Sequence, residues 1–246
     1  MTRFFAQAMD ISTGMIFLSS EDSAHMRSLR MRPTELFVVC DGEGFDHICR
    51  LGGGGGTVAQ IVETRPSVGE PTIHCSVFIA LAKGDRLDYA VQKSVELGAK
   101  EVILYLSERC VSVPGDIGKK VMRLQRVALE AAKQSGRGQV PLVTTVPMFV
   151  DAIVQAARAA LPLFLYECEE ETRLKEVLDS SGIRDPDTEK KTISIVTGPE
   201  GGFTPQEASL AKEAGMRSVT LGPRILRCET APAAVLAAVM FHTGNL

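Results

Sequence analysis

Short stretches of alternating apolar and polar residues fill the first 70 positions of the chain, and a longer rhythm replaces them afterwards. ELFVVCDG (35–42) gathers β-branched and aromatic residues and ends in a turn signal, while FDHICRL (45–51) and TVAQIVE (57–63) alternate. They predict short strands around one helix. That helix is capped by Ser20 or Asp22, runs through Leu29 and ends before Pro33. GGGGG (52–56) offers nothing to pack, and neither a Gly-Lys-Ser/Thr sequence nor a helix follows it, so it predicts a flexible hairpin tip and not a phosphate loop. RPSVGEP (65–71), with two prolines and a glycine, predicts a linker.

Beyond it, strand and helix patterns take turns. IHCSVFIALAKG (73–84) is a buried strand, DRLDYAVQKSVELGA (85–99) a helix with Leu87, Val91 and Val95 on one side, and EVILYL (101–106) a strand. Helices follow from about Lys119 to Gln134 and Met148 to Ala160, then the strand LPLFLYE (161–167) and a short helix around Thr172 to Leu178. SGIRDPDTEKK (181–191) has the composition of a surface loop. TISIVTG, a helix beginning near Pro205, SVTLG and a final apolar helix complete the order. The fold class this predicts is α/β, with a mostly parallel sheet covered on both faces.

At 246 residues the chain is long enough for one large domain or two smaller ones. No apolar run approaches the roughly 20 residues that span a bilayer, and the N-terminus acquires Asp10 before a signal-like core develops. The expectation is a cytoplasmic protein without a membrane partner. Six cysteines, at 40, 49, 75, 110, 168 and 228, form no CxxC pair, and the four histidines at 25, 47, 74 and 242 lack ligand spacing. No metal is expected, and reduced, buried thiols are. A net charge of −3 gives the whole molecule no pull on nucleic acid. Two local basic groups change that picture: His25, Arg27, Arg30 and Arg32 in HMRSLRMR (25–32), and Arg123, Arg126, Lys133 and Arg137 further on. Each fits a solvated helix face or a nucleic-acid contact.

Candidate chemistry gathers at the ends of two late strands, where TISIVT runs into GPEGGFTPQE and SVTL into GPRILRCETAP. In open α/β sheets, ligands bind at the carboxyl ends of strands because backbone N–H groups and helix N-termini converge there. Gly198, Gly201 and Gly202 permit close backbone approach, Pro199 and Pro223 hold the turns, and Thr204, Pro205 and Glu207 form a capping box. GPEGG is not the GxGxxG of dinucleotide folds, and no Walker lysine is present. A ligand held largely by main chain remains, and Glu200 would favour one with a positive centre over a phosphate.

TGPEGGFTPQE, followed by LGPRILRCETAPAAVL, with VQKSVELGAKEVILYLSERC and LEAAKQSGRGQVP upstream, resembles the RsmE family of SPOUT-class ribosomal RNA methyltransferases. The likeness covers nearly all of 73–246, and HMRSLRMR with VVCDGEG resembles that family's PUA-like β-barrel. It implies a PUA-like RNA-binding domain over 1–70 and a SPOUT domain over 73–246 with a deep trefoil knot, an exception to the rule that chains avoid threading. It also implies a homodimer with the active site at the subunit interface, and methyl transfer from S-adenosylmethionine to N3 of a uridine in small-subunit ribosomal RNA.

Carried over by motif, Leu165, Tyr166 and Glu167, Thr197, Gly198, Pro199, Glu200, Gly201 and Gly202, and Leu221, Gly222, Arg224, Ile225 and Leu226 would line the cofactor. Arg227 and Arg224 are the candidates for steadying the anionic base or its phosphate, and Glu229 or Glu200 for accepting the N3 proton or positioning an arginine. Glu229 equally suits a helix N-terminal charge. His25, Arg27, Arg30, Arg32, Lys133, Gln134 and Arg137 would contact RNA, with Lys93 and Glu96 extending that face or supporting the site; of Lys93, Glu96, Gln134 and Arg137, Arg137, between two glycines, reads as the most exposed. Cys228 departs from the family pattern, where a threonine or similar small residue is expected, and GGGGG replaces a more polar hairpin. The competing readings are a SPOUT-type enzyme for another RNA, a nucleotide-dependent α/β enzyme, and a non-catalytic RNA-binding ribosome-assembly protein.

Overall fold

The computed structural model describes residues 1–6, 10–12, 14–52, 57–111, 115–185, 188 and 191–246, and it divides into two compact units. The first comprises Met1–Glu70 with Glu130–Val140, and the second Pro71–Leu129 with Pro141–Leu246. Of the glycine run, 53–56 lie outside the described residues, as do 186, 187, 189 and 190 of the 181–191 spacer.

In the first unit, β1 (Arg3–Phe5), β2 (Ile11–Ser12), β3 (Met15–Phe17), α1 (Ser20–Ser28), β4 (Leu36–Cys40), β5 (Phe45–Leu51) and β6 (Val58–Pro66) follow in order. Their six-stranded sheet runs β1-β4-β5-β6-β3-β2, antiparallel except where β1 joins β4. Alternation puts Phe37, Val39, Cys49 and Ala59 on one face, where Phe4, Ile16 and Met26 of α1 complete the core. α1 is capped by Ser19, whose hydroxyl accepts from the Asp22 N–H at 3.0 Å, and not by Ser20 or Asp22.

The expected linker at 65–71 is instead tightly held. Arg65 and Pro66 continue β6 opposite Asp46 and Phe45. Glu70 accepts from Arg137 at 2.6 Å and from the backbone N–H groups of Gly138 and Gln139. A Cβ at Gly138 would collide with Ser67, so only glycine lets these strands of chain approach. Beside them Asp46 takes a bidentate pair from Arg3 at 2.8 and 2.9 Å. Burial raises the Asp46 carboxyl, but Arg3 and the Ser67 hydroxyl outweigh it and hold it below the usual range.

The second unit contains β7 (His74–Ala80), α2 (Arg86–Glu96), β8 (Glu101–Leu106), most of α3 (Ile117–Ser135), β9 (Leu142–Met148), α4 (Phe149–Ala156) and β10 (Leu161–Leu165). It ends with α5 (Leu174–Ser180), β11 (Thr192–Thr197), α6 (Pro205–Glu213), β12 (Arg217–Val219) and α7 (Ala231–His242). All six strands are parallel, in the order β12-β10-β11-β7-β8-β9. α4 and α6 pack on one face, through Phe149, Ile153 and Ala211 against Phe78, Ile103, Tyr105, Phe164 and Val196. α7 packs against α2, β7 and β11. This is the mixed α/β fold with a parallel sheet that strand and helix periodicity predicts. β9 was missed by that periodicity: an edge strand pairs on one side only, and Leu142 and Met148 at its ends are exposed.

Arg137 is 2% exposed, so its burial corrects the expectation that it is the most exposed of Lys93, Glu96, Gln134 and Arg137; its guanidinium is committed to Glu70. Removing one partner of a buried pair leaves a charge uncompensated, a cost of about 3 kcal/mol. Arg137→Ala should therefore lower the melting temperature by several degrees, measured by calorimetry, whereas an unchanged melting temperature would mean that the pair contributes nothing.

Candidate active site

The order of strands decides where the loops meet. β11 lies between β7 and β10, and β12 lies outside β10, so three successive carboxyl ends stand side by side. The segments leaving them, 165–167, 197–202 and 219–222, line one cavity of about 640 Å³ together with 224–229, Arg86 and Ala231. The chain reaches α7 from the sheet edge at β12 through the 220–230 loop, which supplies Arg224 and Arg227 to the cavity.

The loop after β11 is fixed at every turn. Gly202, at φ 69°, closes a turn by donating its N–H to Pro199 O at 3.0 Å. A Cβ there would collide with the Glu167 carboxylate, which accepts the Phe203 N–H at 2.9 Å. The Phe203 ring lies 4.4 Å from that of Phe164. Arg109 donates to the carbonyls of Gly201 and Phe203 at 3.1 and 3.2 Å. The expected capping box is present: Thr204 Oγ1 accepts the Glu207 N–H, and Glu207 Oε2 accepts the Thr204 N–H at 2.9 Å. The other oxygen of Glu207 accepts from the Ser107 hydroxyl and the Glu108 N–H at 2.8 and 3.0 Å.

Electrostatics centre on Glu200. Its Oε1 accepts from the Lys83 N–H at 2.9 Å and from Arg86 Nη1 at 2.7 Å. Burial by itself raises this carboxyl, but those donors and the charge of Arg86 prevail and hold it below its ordinary value. Glu200 is thus an anion at neutral pH, and its buried Oε2 has no hydrogen-bond partner among the described residues. Arg86 Nε stands 4.0 Å from Glu229 Oε2. The Cys228 thiol donates to Glu229 Oε2 at 3.2 Å, and burial foremost, with that bond, pushes it up to about 12. Cys228 is therefore a protonated donor and not a nucleophile.

Each residue expected at the cofactor lines this cavity, as do all four catalytic candidates, Arg224, Arg227, Glu200 and Glu229. Sequence reasoning missed Arg86. Its position after the Gly-Asp turn beyond β7 was the available signal, since that is another carboxyl end of the same sheet. The expected RNA contacts fall elsewhere, in the first unit: His25, Arg27, Arg30, Arg32 and Gln134 are exposed, and Lys133 is half-buried between Asp22 and Glu130. Arg137 is not with them on the surface. Among the described residues no group of three His, Cys, Asp or Glu side chains could hold a metal ion, and no helix is long and apolar enough to cross a membrane.

A parallel sheet whose loops converge on one crevice at the carboxyl ends of its strands is the ligand-binding arrangement of open α/β folds, and residues 69–240 match the family model of the RNA methyltransferase domain. The chain is 31% identical to the ribosomal RNA small subunit methyltransferase E of Bacillus subtilis, over 93% of this chain and 91% of that protein. It is 33% identical to that of Synechocystis, over 87% and 68%. Its fold matches the crystal structure of ribosomal RNA small subunit methyltransferase E from Neisseria gonorrhoeae bound to S-adenosyl methionine, with a TM-score of 0.84 and 32% identity over 98% and 97% of the two chains. The chain belongs to the ribosomal RNA small subunit methyltransferase E family within the RNA methyltransferase domains.

A carboxyl lowered in the fold stabilises the protein fully above its ordinary range, and that stability is lost as pH falls through the lowered value. The melting temperature should therefore fall more steeply on acidification in the wild type than in Glu200→Gln. Superimposable acid limbs would show that the Glu200–Arg86 pair adds no stability.

Proposed function

We propose that this chain transfers a methyl group from S-adenosylmethionine to N3 of a uridine in small-subunit ribosomal RNA. The observation that carries this reading is the one crevice lined by 165–167, 197–202, 219–222 and 224–229, which brings Arg224, Arg227 and Glu229 to the same space. The relatives' shared activity points the same way.

The cavity fits the cofactor chemically. Ionised Glu200, with one buried oxygen unpartnered among the described residues, suits a ligand bearing a sulfonium charge. Residues 165–167, 197–202 and 221–226 would hold the cofactor, which supplies an electrophilic methyl when bound. The protein's part is orientation and electrostatics. Uridine N3 must lose its proton before it can act as a nucleophile, and charge then develops on the base. Arg224 and Arg227 steady that charge or the adjoining phosphate. Glu229 accepts the proton, while Glu200, already engaged by Lys83 and Arg86, positions Arg86.

The finer architecture follows the same reading. Residues 1–70 form a PUA-like RNA-binding domain, supported by their mainly antiparallel sheet, and His25, Arg27, Arg30, Arg32, Lys133 and Gln134 meet the RNA. Residues 73–246 form a SPOUT domain with a trefoil knot, supported by the return of the chain from β12 at the sheet edge to α7 beside β7 and β11. The enzyme works in the cytoplasm as a homodimer, supported by the apolar outer side of α7, where Phe241 is 76% exposed.

Incubation with labelled S-adenosylmethionine and unmodified small ribosomal subunits should yield labelled 3-methyluridine by mass spectrometry of the digested nucleosides; label in any other nucleoside would refute the assignment. Arg227→Ala should lower the rate by about a hundredfold with cofactor binding retained, and a rate near wild type would remove Arg227 from the mechanism. In light scattering, Phe241→Asp should shift the protein from dimer to monomer; a dimer that persists would place the interface elsewhere.

A further inference from the structure

Next to the crevice at the strand ends is a wide-mouthed groove of about 700 Å³ at the head of α2, lined by Lys83, Asp85, Arg86, Tyr89, Glu229 and the adjoining Gly84 and Thr230. Arg86 and Glu229 line both spaces, so the groove opens onto the proposed methyl-transfer site. Its charges balance, Lys83 and Arg86 against Asp85 and Glu229. Such a lining gives a phosphate no net attraction and suits a neutral polar ring. It also offers an aromatic face: Tyr89 is 47% exposed, with Lys93 Nζ 5.8 Å from its ring centroid.

We propose that this groove seats the acceptor uracil, a conclusion that rests on the methylation reading and extends it. The Watson–Crick edge of uracil presents an acceptor, a donor and an acceptor at O2, N3–H and O4. Glu229 supplies the acceptor that N3–H requires, and Lys83 and Arg86 supply donors for the two carbonyls. Arg86 spends Nη1 on Glu200, and its Nη2 has no partner among the described residues; Lys83 donates its main-chain N–H to Glu200, and its ammonium forms no ion pair with any described residue. Glu200 therefore links the cofactor cavity to the orientation of Arg86 and to the backbone of Lys83. Tyr89 stacks on the extruded base, as aromatic side chains do when RNA bases are read singly. The same array selects against cytosine, whose N3 lone pair would face the Glu229 carboxylate and whose exocyclic amine would face a cation. Tyr89, Lys83 and Arg86 thereby become determinants of base choice for the reaction.

The test is photocrosslinking of the wild-type protein to small-subunit ribosomal RNA carrying 4-thiouridine, mapped by peptide mass spectrometry, combined with kinetics of Tyr89→Ala and Tyr89→Phe. The crosslink should map to 83–89. Tyr89→Ala should reduce kcat/KM for RNA by roughly tenfold or more, with the Kd for S-adenosylmethionine unchanged, and Tyr89→Phe, which keeps the ring, should restore most of it. Crosslinks confined to other segments, or full kcat/KM in Tyr89→Ala, would overturn the base seat while leaving uridine methylation in place. A crosslink at 83–89 in a protein that methylates no uridine would instead leave the base seat standing and defeat the methylation reading. The wild-type crosslink decides the matter even if Tyr89→Ala does not fold.

Discussion

The buried carboxylate of Glu207 ties together two segments that are far apart in sequence. One oxygen closes the capping box with Thr204, and the other accepts from Ser107 and Glu108 after β8. A charged group so deeply placed is tolerable only when donors satisfy it. Here they come from the head of its own helix and from a neighbouring strand end. The 198–203 loop hangs between this anchor and β11, pinned further by Arg109, Glu167 and the Phe203 ring. The crevice thus keeps its shape through the protein's own bonds, as a site that orients reactants requires.

On that scaffold the charges form a chain. Glu200 draws Arg86 across from α2, and Arg86 approaches Glu229 at the start of α7. Three elements that diverge in sequence therefore share one electrostatic unit at the cavity's edge. Two carboxylates that look equivalent in the sequence acquire different environments: Glu200 is saturated on one oxygen by Lys83 and Arg86, while Glu229 receives the Cys228 thiol and stands at the groove. This asymmetry underlies the division of roles proposed for them.

In the first unit the same economy of polar contacts joins distant chain segments. Glu70 receives Arg137 together with two backbone N–H groups, and Arg3 clasps Asp46. Composition pointed the other way at both ends of this contact. Proline and glycine at 65–71 suggested a linker, and the glycines flanking Arg137 suggested exposure, because small residues mark loops and tight packing alike. Which of the two they serve depends on what lies opposite, here Ser67 against Gly138.

Local chemistry in the sequence was enough to determine the strands and helices with strong periodicity, the capping box at Thr204, and the glycine-bearing turns that leave β11 and β12. Each of these is set by residues within a turn or two of one another. Nothing local could specify that β11 lies between β7 and β10, that β9 forms the far edge, or that Arg86 faces the loops after β11 and β12. Those facts arise when the apolar faces of the sheet are buried together, because strand order is a property of the assembled layers and not of any one segment. The partner of Glu200 lies 114 residues away in the chain, and only folding brings Arg86 to it.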